Sequence, residues 1–487
     1  MRHRPTPTAA RCAAVVALLT TPLLLAAPAN AAPADTAPAA SAAVGPAGTA
    51  PQADFNHDGY ADIVANAPGG TVDGTAKAGY LTVVYGSASG AATGKHQVIS
   101  RATAGVPGSP TENGRFGDRT VARDLDGDGT GDLVITGGGA PVVLWGSADG
   151  KGGAGSLQGT GGKNLTAGDF DGDGHADLVA DGNGSGDSDS SGLHVMYGPF
   201  TRAGAPDRTA DIDTGHLFDA EDLAAGDLNG DGRDDLVSMH AFEEMSESSE
   251  LWKGGAGGLA TKPTELPDAA SATVGDVDKD GFGDLIYRPV PGGVVEDLPY
   301  DKGTVKVAYG SANGPGTRTT TITQDTAGVP GAGEEGDQFG YSLSAGDVNG
   351  DGYADVAVGV PYEDLTSASG AALKDAGSTV LLKGGKGGLT GTGAQSWHQN
   401  TAGVPGVAEA GDRFGEAVSL LDTDGDGKTD LAAGAPGEDG TTPKDTGAVW
   451  SLRGASGGLT TEGVVSYGPG AIGAPEAGAG LGSGFAR

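Results

Sequence analysis

Apolar residues in this chain fall in short runs that end in Gly or Asp, and no segment sustains a helical period. One set of runs begins directly after an acidic segment: Asp62-Ile-Val-Ala, Asp132-Leu-Val-Ile, Asp177-Leu-Val-Ala and Asp355-Val-Ala-Val. Their length and β-branched content predict strands. A second set follows and ends in a Gly turn, as in Leu81-Thr-Val-Val-Tyr85-Gly86, Val142-Val-Leu-Trp145-Gly146 and Val305-Lys-Val-Ala-Tyr309-Gly310. Weaker copies end at Gly198, Gly254, Gly384 and Gly454, which makes seven. Phe116-Gly117, Phe339-Gly340 and Phe414-Gly415 open a further strand, each preceded by Thr-Ala-Gly-Val-Pro-Gly.

The acidic segments are copies of one nine-residue pattern, Asp-x-(Asp/Asn)-x-Asp-Gly-x-x-Asp, starting at Asp54, Asp124, Asp169, Asp227, Asp276, Asp347 and Asp422. The mean spacing of these starts is about 61 residues. About four short strands per unit, repeated seven times, predict an all-β fold: a seven-bladed β-propeller of four-stranded antiparallel blades, with the acidic loops between first and second strands. A closed ring also protects sheet edges. The first loop lacks a Phe-Gly strand before it, and Leu481-Gly482 aligns with Phe414-Gly415. Leu481 to Ala486 is therefore expected to supply the inner strand of the first blade.

Oxygen-bearing residues alternating around a fixed Gly suit a hard cation, and Ca²⁺ suits them better than Mg²⁺, which demands tight six-fold geometry. Positions 1, 3, 5 and 9 would give side chains and position 7 its backbone carbonyl. The candidate ligands are Asp54, Asn56, Asp58, Tyr60 and Asp62 in the first loop, and Asp124, Asp126, Asp128, Thr130 and Asp132 in the second. The third and fourth offer Asp169, Asp171, Asp173, His175 and Asp177, then Asp227, Asn229, Asp231, Arg233 and Asp235. The fifth has Asp276, Asp278, Asp280, Phe282 and Asp284. The last two have Asp347, Asn349, Asp351, Tyr353 and Asp355, then Asp422, Asp424, Asp426, Lys428 and Asp430. Position 7 varies freely, as a carbonyl ligand permits, whereas position 6 is always Gly, as a positive φ requires. An EF-hand needs Glu at position 12 between helices; here that position is Ala65, Ile135, Ala180, Ser238, Tyr287, Val358 or Ala433, and Asp at position 9 takes its place. Hairpin turns alone need Asp-Gly but no acid at positions 1, 3 and 9.

Phe-Gly, the Asp loop and Gly-Ala-Pro (Gly434-Ala435-Pro436) together resemble the FG-GAP repeat family, which includes the β-propeller of integrin α subunits and many secreted bacterial proteins. The resemblance runs from about Ala53 to Arg487. It is best in the sixth and seventh units and poorest in the third to fifth, which lack Phe-Gly but keep the loop. It implies that segments between second and third strands lie on the face opposite the loops. These include Glu243-Glu244, Glu296-Asp297 with Tyr300, Tyr362-Glu363-Asp364 and Glu438-Asp439.

Composition adds the setting. Arg2, Arg4 and Arg11, an apolar run from Cys12 to Ala27 and Ala29-Asn30-Ala31 read as a secretion signal over 1–31. Residues 32–52 read as an Ala/Pro-rich linker and 53–487 as the propeller. Removing three arginines takes the formal net charge from −35 to −38, which disfavours nucleic acid and anionic lipid as partners. The only Cys is Cys12, so metal would serve where disulfides do not. No later apolar stretch approaches the ~20 residues of a membrane helix. The Ala/Gly richness points to a GC-rich bacterial source.

No catalytic constellation is visible. None of His57, His96, His175, His194, His216, His240 and His398 forms a zinc-type pair four residues apart, and Gly454-Ala-Ser456-Gly-Gly458 is a repeat turn rather than a nucleophile elbow. The expectation is a secreted, extracellular, monomeric adhesion or binding module for a protein or glycan, holding up to seven Ca²⁺. A hydrolase with a site in the propeller channel and a structural envelope protein remain the alternatives.

Overall fold

The computed structural model describes residues 53–148, 150, 152–159, 164–182, 191–440 and 444–487. The expected signal and linker lie outside the described residues.

Seven antiparallel sheets follow one another along the chain, and within each the strands neighbour one another in sequence order. Blade 2, for example, runs Thr120–Arg123, Asp132–Ile135, Val142–Leu144 and Ala154–Ser156. Burial explains the runs seen in the sequence. Second strands such as Ile63–Ala67, Asp355–Val360 and Asp430–Ala435 are buried at every position, because a neighbouring blade covers each face. Outer strands such as Arg208–Asp213 alternate exposed with half-buried positions, Ile212 alone being buried, and carry polar residues, which suits a sheet edge in water. Blade 6 carries a small extra hairpin, Leu365–Thr366 with Ala372–Leu373.

The apolar core is divided into seven clusters, one at each junction between blades. The cluster holding Ile63, Tyr80, Leu421, Ala432 and Tyr467 joins the last blade to the first and so closes the ring. The Trp145 and Trp252 side chains are buried in two others, at the second-to-third and third-to-fourth junctions.

Closure also uses the 482–487 segment. Asn66 N donates to the Gly484 carbonyl at 2.9 Å, Gly482 N to the Asn66 carbonyl at 3.0 Å, and Ala65 bridges Phe485. This is less regular than the expected strand: a single bridge replaces a full ladder. The segment then bends onto the inner strand of blade 2, where Arg487 exchanges two 3.0 Å backbone bonds with Thr120 and Ala122. The Arg487 guanidinium reaches on to the Asp222 carboxylate of blade 4. Burial disfavours the ionised Asp222 carboxylate, but Arg487 overrides this and holds it below the usual range.

The Phe-Gly pairs are straps between blades. Phe116, Phe339 and Phe414 are fully buried, and each donates its N–H to the preceding blade just before a Gly: Phe116 to Ala78, Phe339 to Lys302, Phe414 to Ala376. Leu481 does the same to Thr446. A Cβ on the facing Gly79, Gly303, Gly377 or Gly447 would meet that backbone N at 2.0–2.4 Å. The fixed glycines therefore allow two backbones to touch.

Candidate metal loops

Six of the acidic loops join the first to the second strand of their blade, while the one at Asp54 leads straight into Ile63–Ala67 of blade 1, and in all seven the side chains wrap around the loop's own N–H groups. The position 1 carboxylate accepts the position 6 N–H in all seven loops, at 2.7–3.0 Å. The position 5 carboxylate accepts the position 7 N–H in all seven, at 2.9–3.2 Å. The position 6 glycines have φ of +83° to +89°. At Gly59, Gly174, Gly232, Gly281 and Gly427 a Cβ would meet nothing within 4 Å. Conformation rather than space selects Gly there.

Position 9 has a structural duty that the spacing does not reveal. Its carboxylate is buried in every loop and accepts the N–H of the Gly that ends the third strand: Gly86, Gly146, Gly198, Gly254, Gly310, Gly384 and Gly454, at 2.8–3.0 Å. A Cβ on any of these glycines would meet the position 8 carbonyl at 2.1–2.6 Å. The two repeated motifs are thus halves of one joint. Burial, with the neighbouring loop carboxylates adding to it, pushes Asp62 up to about 8 and Asp132, Asp177 and Asp284 up to about 7. Burial likewise raises Asp235, Asp355 and Asp430 to about 6. Burial of this kind favours a compensating positive charge beside the carboxylate.

In four loops three carboxylates bring one oxygen each within 4.8 Å of one another: Asp124, Asp126 and Asp132; Asp169, Asp171 and Asp177; Asp276, Asp278 and Asp284; Asp422, Asp424 and Asp426. These are the four loops with Asp at position 3. In each, an arginine pairs with that Asp: Arg202 with Asp126 at 2.7 Å, Arg208 with Asp171 at 2.6 Å, Arg318 with Asp278 and Arg453 with Asp424. Arg202, Arg208 and Arg318 also lie over the Trp145, Tyr197 and Tyr309 rings. Where position 3 is Asn56, Asn229 or Asn349, no arginine partner is seen on it among the described residues. Asp126 and Asp278 each keep one buried oxygen, Oδ1, without a hydrogen-bond partner. An all-oxygen set with such an orphaned atom fits a hard divalent cation such as Ca²⁺.

The loops are also joined to each other. In six of the seven, the position 8 N–H donates to the position 1 carbonyl of the preceding loop at 2.7–2.9 Å, as Gly131 does to Asp54 and Ala61 to Asp422. The position 7 side chain covers position 4 of that neighbour: a Cβ on Gly127, Gly172, Gly230, Gly350 or Gly425 would meet His175, Arg233, Phe282, Lys428 or Tyr60 at 2.8–3.4 Å. Free variation at position 7 thus hides a contact that many side chains can make. His57 is exposed, with Nδ1 2.6 Å from the Gly129 carbonyl.

The opposite face holds the segments between second and third strands. Glu363 and Glu438 are half-buried there, held by Gln324 and Gln399. Glu243-Glu244 forms a hairpin tip, and Glu296-Asp297 and Tyr300 lie on a 3-10 turn over Val295–Tyr300. Sequence reasoning missed one cluster on this face: His216, His240 and Glu250 bring ligand atoms within 4.8 Å of one another. A search for His pairs four residues apart passes over it, because its members come from three segments.

The FG-GAP repeat matches residues 48–84, 339–382 and 414–452, and an FG-GAP-like repeat matches 124–180. Integrin alpha pat-2 of Caenorhabditis briggsae is 31% identical over 232 residues, covering 44% of this chain and 17% of its own length. Integrin alpha-PS2 of Drosophila melanogaster is 37% identical over 123 residues, 25% of this chain and 8% of its own. Human integrin alpha-IIb is 29% identical over 157 residues, 28% and 14% respectively. The chain thus spans less than a fifth of the length of these relatives. Among solved structures, an Agrocybe aegerita lectin that recognises non-reducing terminal N-acetylglucosamine superposes with a TM-score of 0.48 at 14% identity, over 85% of this chain and 93% of that one. The chain thus carries FG-GAP repeats over part of its length and is similar to integrin alpha subunits in its β-propeller.

Proposed function

We propose that the protein is a secreted binding module, stabilised by up to seven Ca²⁺, that engages an extracellular protein or glycan through the face opposite its acidic loops. One observation carries this reading. The six exposed large hydrophobic side chains among the described residues gather at that face: Leu217, Phe218, Tyr300, Tyr341 and Val407 on its connections, and Met245 at the start of the strand Met245–Trp252. Segregation of exposed apolar and aromatic groups to one face marks an interaction surface. The loop face is given over to carboxylates and their partners, so the division of labour is cation below and partner above.

The test is a screen of glycan and extracellular-protein arrays in millimolar Ca²⁺, with Phe218→Ser/Tyr300→Ser as the comparison. A specific hit that this variant loses while keeping its melting temperature supports the reading. Hits that the variant retains, or none at all, would overturn it in favour of a structural role. Calorimetric titration of the chelated protein is expected to show close to seven Ca²⁺ equivalents.

A further inference from the structure

Blade 4 holds a donor set that differs from the loops in chemistry and in place. His216 comes from the connection that enters the blade, His240 from strand Asp235–Phe242, and Glu247 and Glu250 from strand Met245–Trp252. The strand register puts His240 opposite Glu247 and Ser238 opposite Glu250, with a bulge between Ser238 and His240. The His216 and His240 rings stack with centroids 3.9 Å apart and planes 15° apart. His216 Nε2 lies 3.3 Å from Glu250 Oε1, and His240 Nε2 lies 3.8 Å from Glu250 Oε2.

Hydrogen bonding leaves these atoms with open valences. His216 Nδ1 is 2.5 Å from Glu247 Oε2. A carboxylate accepts, so Nδ1 carries a proton and Nε2 is the ring atom that faces Glu250. His216 Nε2, Glu250 Oε2 and His240 Nδ1 are buried and have no hydrogen-bond partner. His240 is only 3% exposed. Its Nε2 lies 2.8 Å from Ser238 Oγ, which accepts the Trp252 Nε1–H at 2.9 Å; an ion on Nε2 takes the lone pair that the serine hydroxyl would otherwise fill, and the serine keeps its tryptophan bond. Burial, with His216 adding to it, holds the His240 imidazole down at about 3, which keeps it neutral.

We propose that His216, His240 and Glu250 form a three-ligand site for a divalent transition ion of the Zn²⁺ class, with Glu247 orienting His216. Two imidazoles exclude Ca²⁺, which takes oxygen ligands. Two nitrogens and one carboxylate, with a fourth position open, form a donor set suited to Zn²⁺. Tetrahedral bonds of ~2.0–2.1 Å place ligand atoms roughly 3.3 Å apart, which is the His216–Glu250 spacing; His240 must turn its ring out of the stack on His216 to aim its in-plane lone pair at the same ion. The carboxylate behind His216 is the usual outer partner of a metal-bound imidazole. The competing occupant is a proton, which would make His216 an imidazolium between two glutamates.

The test uses the whole chain in saturating Ca²⁺, so that the acidic loops are filled, and titrates Co²⁺ while reading visible absorption. One equivalent with tetrahedral d–d bands, displaced by one equivalent of Zn²⁺, is expected. His216→Ala and Glu250→Gln should each abolish the bands. Glu247→Gln should weaken Zn²⁺ by roughly 10–100-fold, read by competition with a chromophoric chelator. His216 lies on a surface connection, so its variant remains informative if His240→Ala fails to fold. Absence of Co²⁺ bands, or bands that survive in His216→Ala, would overturn the site.

Discussion

Two arcs of the ring are joined in different ways. At the junctions of blades 7 and 1, 1 and 2, 5 and 6, and 6 and 7, a Phe-Gly or Leu-Gly strap docks backbone against the glycine of the preceding blade. Across blades 2 to 5 no such strap is seen among the described residues, and side chains supplement scattered backbone bonds such as Val295 N to the Glu244 carbonyl at 2.8 Å. Asn164 Nδ2 donates to the Ala220 carbonyl at 2.7 Å, and Ser249 Oγ accepts the Ala269 N–H at 3.2 Å. The acidic loop is the same in both arcs. A backbone joint that needs Gly on one side and a buried Phe on the other leaves little freedom to the chain around it. A side-chain joint leaves more, and the His cluster with its exposed neighbours Leu217 and Phe218 sits in that freer arc.

Removing the cation should give the largest effect and should not distinguish the arcs, because all seven loops share the same donor pattern. With Kd ~0.1 mM at ~1 mM Ca²⁺, each site adds about 1.4 kcal/mol. Seven would add roughly 10 kcal/mol, close to a domain's whole stability. EDTA should therefore lower the melting temperature steeply, with hydrogen-exchange protection lost at all seven loops together, because the loops are bonded into a belt. Loss confined to one arc would break the comparison at its root.

The strap comes next. Truncation before Glu476 removes the segment that closes blade 7 onto blade 1, and the melting temperature of the shortened protein should fall sharply. An unchanged value would show the ring closed by side-chain packing alone. Phe414→Ala should cost about 3–5 kcal/mol by opening a cavity in the core. Gly377→Ala combines a φ of +83° with a 2.4 Å approach to the Phe414 backbone N, and should cost more than the ~1 kcal/mol expected for Ser249→Ala in the other arc. Equal losses in urea melts would mean that the two kinds of joint bear equal load.

These contrasts also explain what could be read from the residues alone. The acidic loop is local: Asp54 to Asp62 contains its own hydrogen-bond partners, so nine residues announce it. The straps were visible as a repeated Phe-Gly, and even the Leu481-Gly482 copy could be placed. The purpose of the glycines after the third strands was not, because Gly86 meets Asp62 only after the chain has turned through two strands. The arginines on position 3 come from afar, Arg202 reaching Asp126 and Arg318 reaching Asp278, and no pattern of spacing links them. His240 and Glu250 meet through the register and bulge of one hairpin, and His216 joins them from the connection before the blade.

The smallest expected effect is one of pH, and it belongs to the strapped arc. Gln324 holds Glu363, and Gln399 holds Glu438; at the junction of blades 1 and 2 the equivalent residue is Arg101, which binds the Pro107, Gly137 and Ala140 carbonyls instead. Burial pushes Glu363 and Glu438 up to about 7 from 4.5, and the nearby acids Asp337 and Asp412 add to the shift. The folded state therefore holds these protons more tightly than the unfolded chain. Their contribution is full below about pH 4.5 and is lost as pH rises through about 7. In saturating Ca²⁺, which keeps the loop carboxylates ionised throughout, the melting temperature should decline between pH 5.5 and pH 8. Glu363→Gln with Glu438→Gln should flatten that decline, since a neutral amide can still accept from the same glutamine without titrating. A decline of the same slope in the double variant would place the titrating groups elsewhere, and would remove the electrostatic feature shared by the strapped junctions of blades 5 and 6 and of blades 6 and 7.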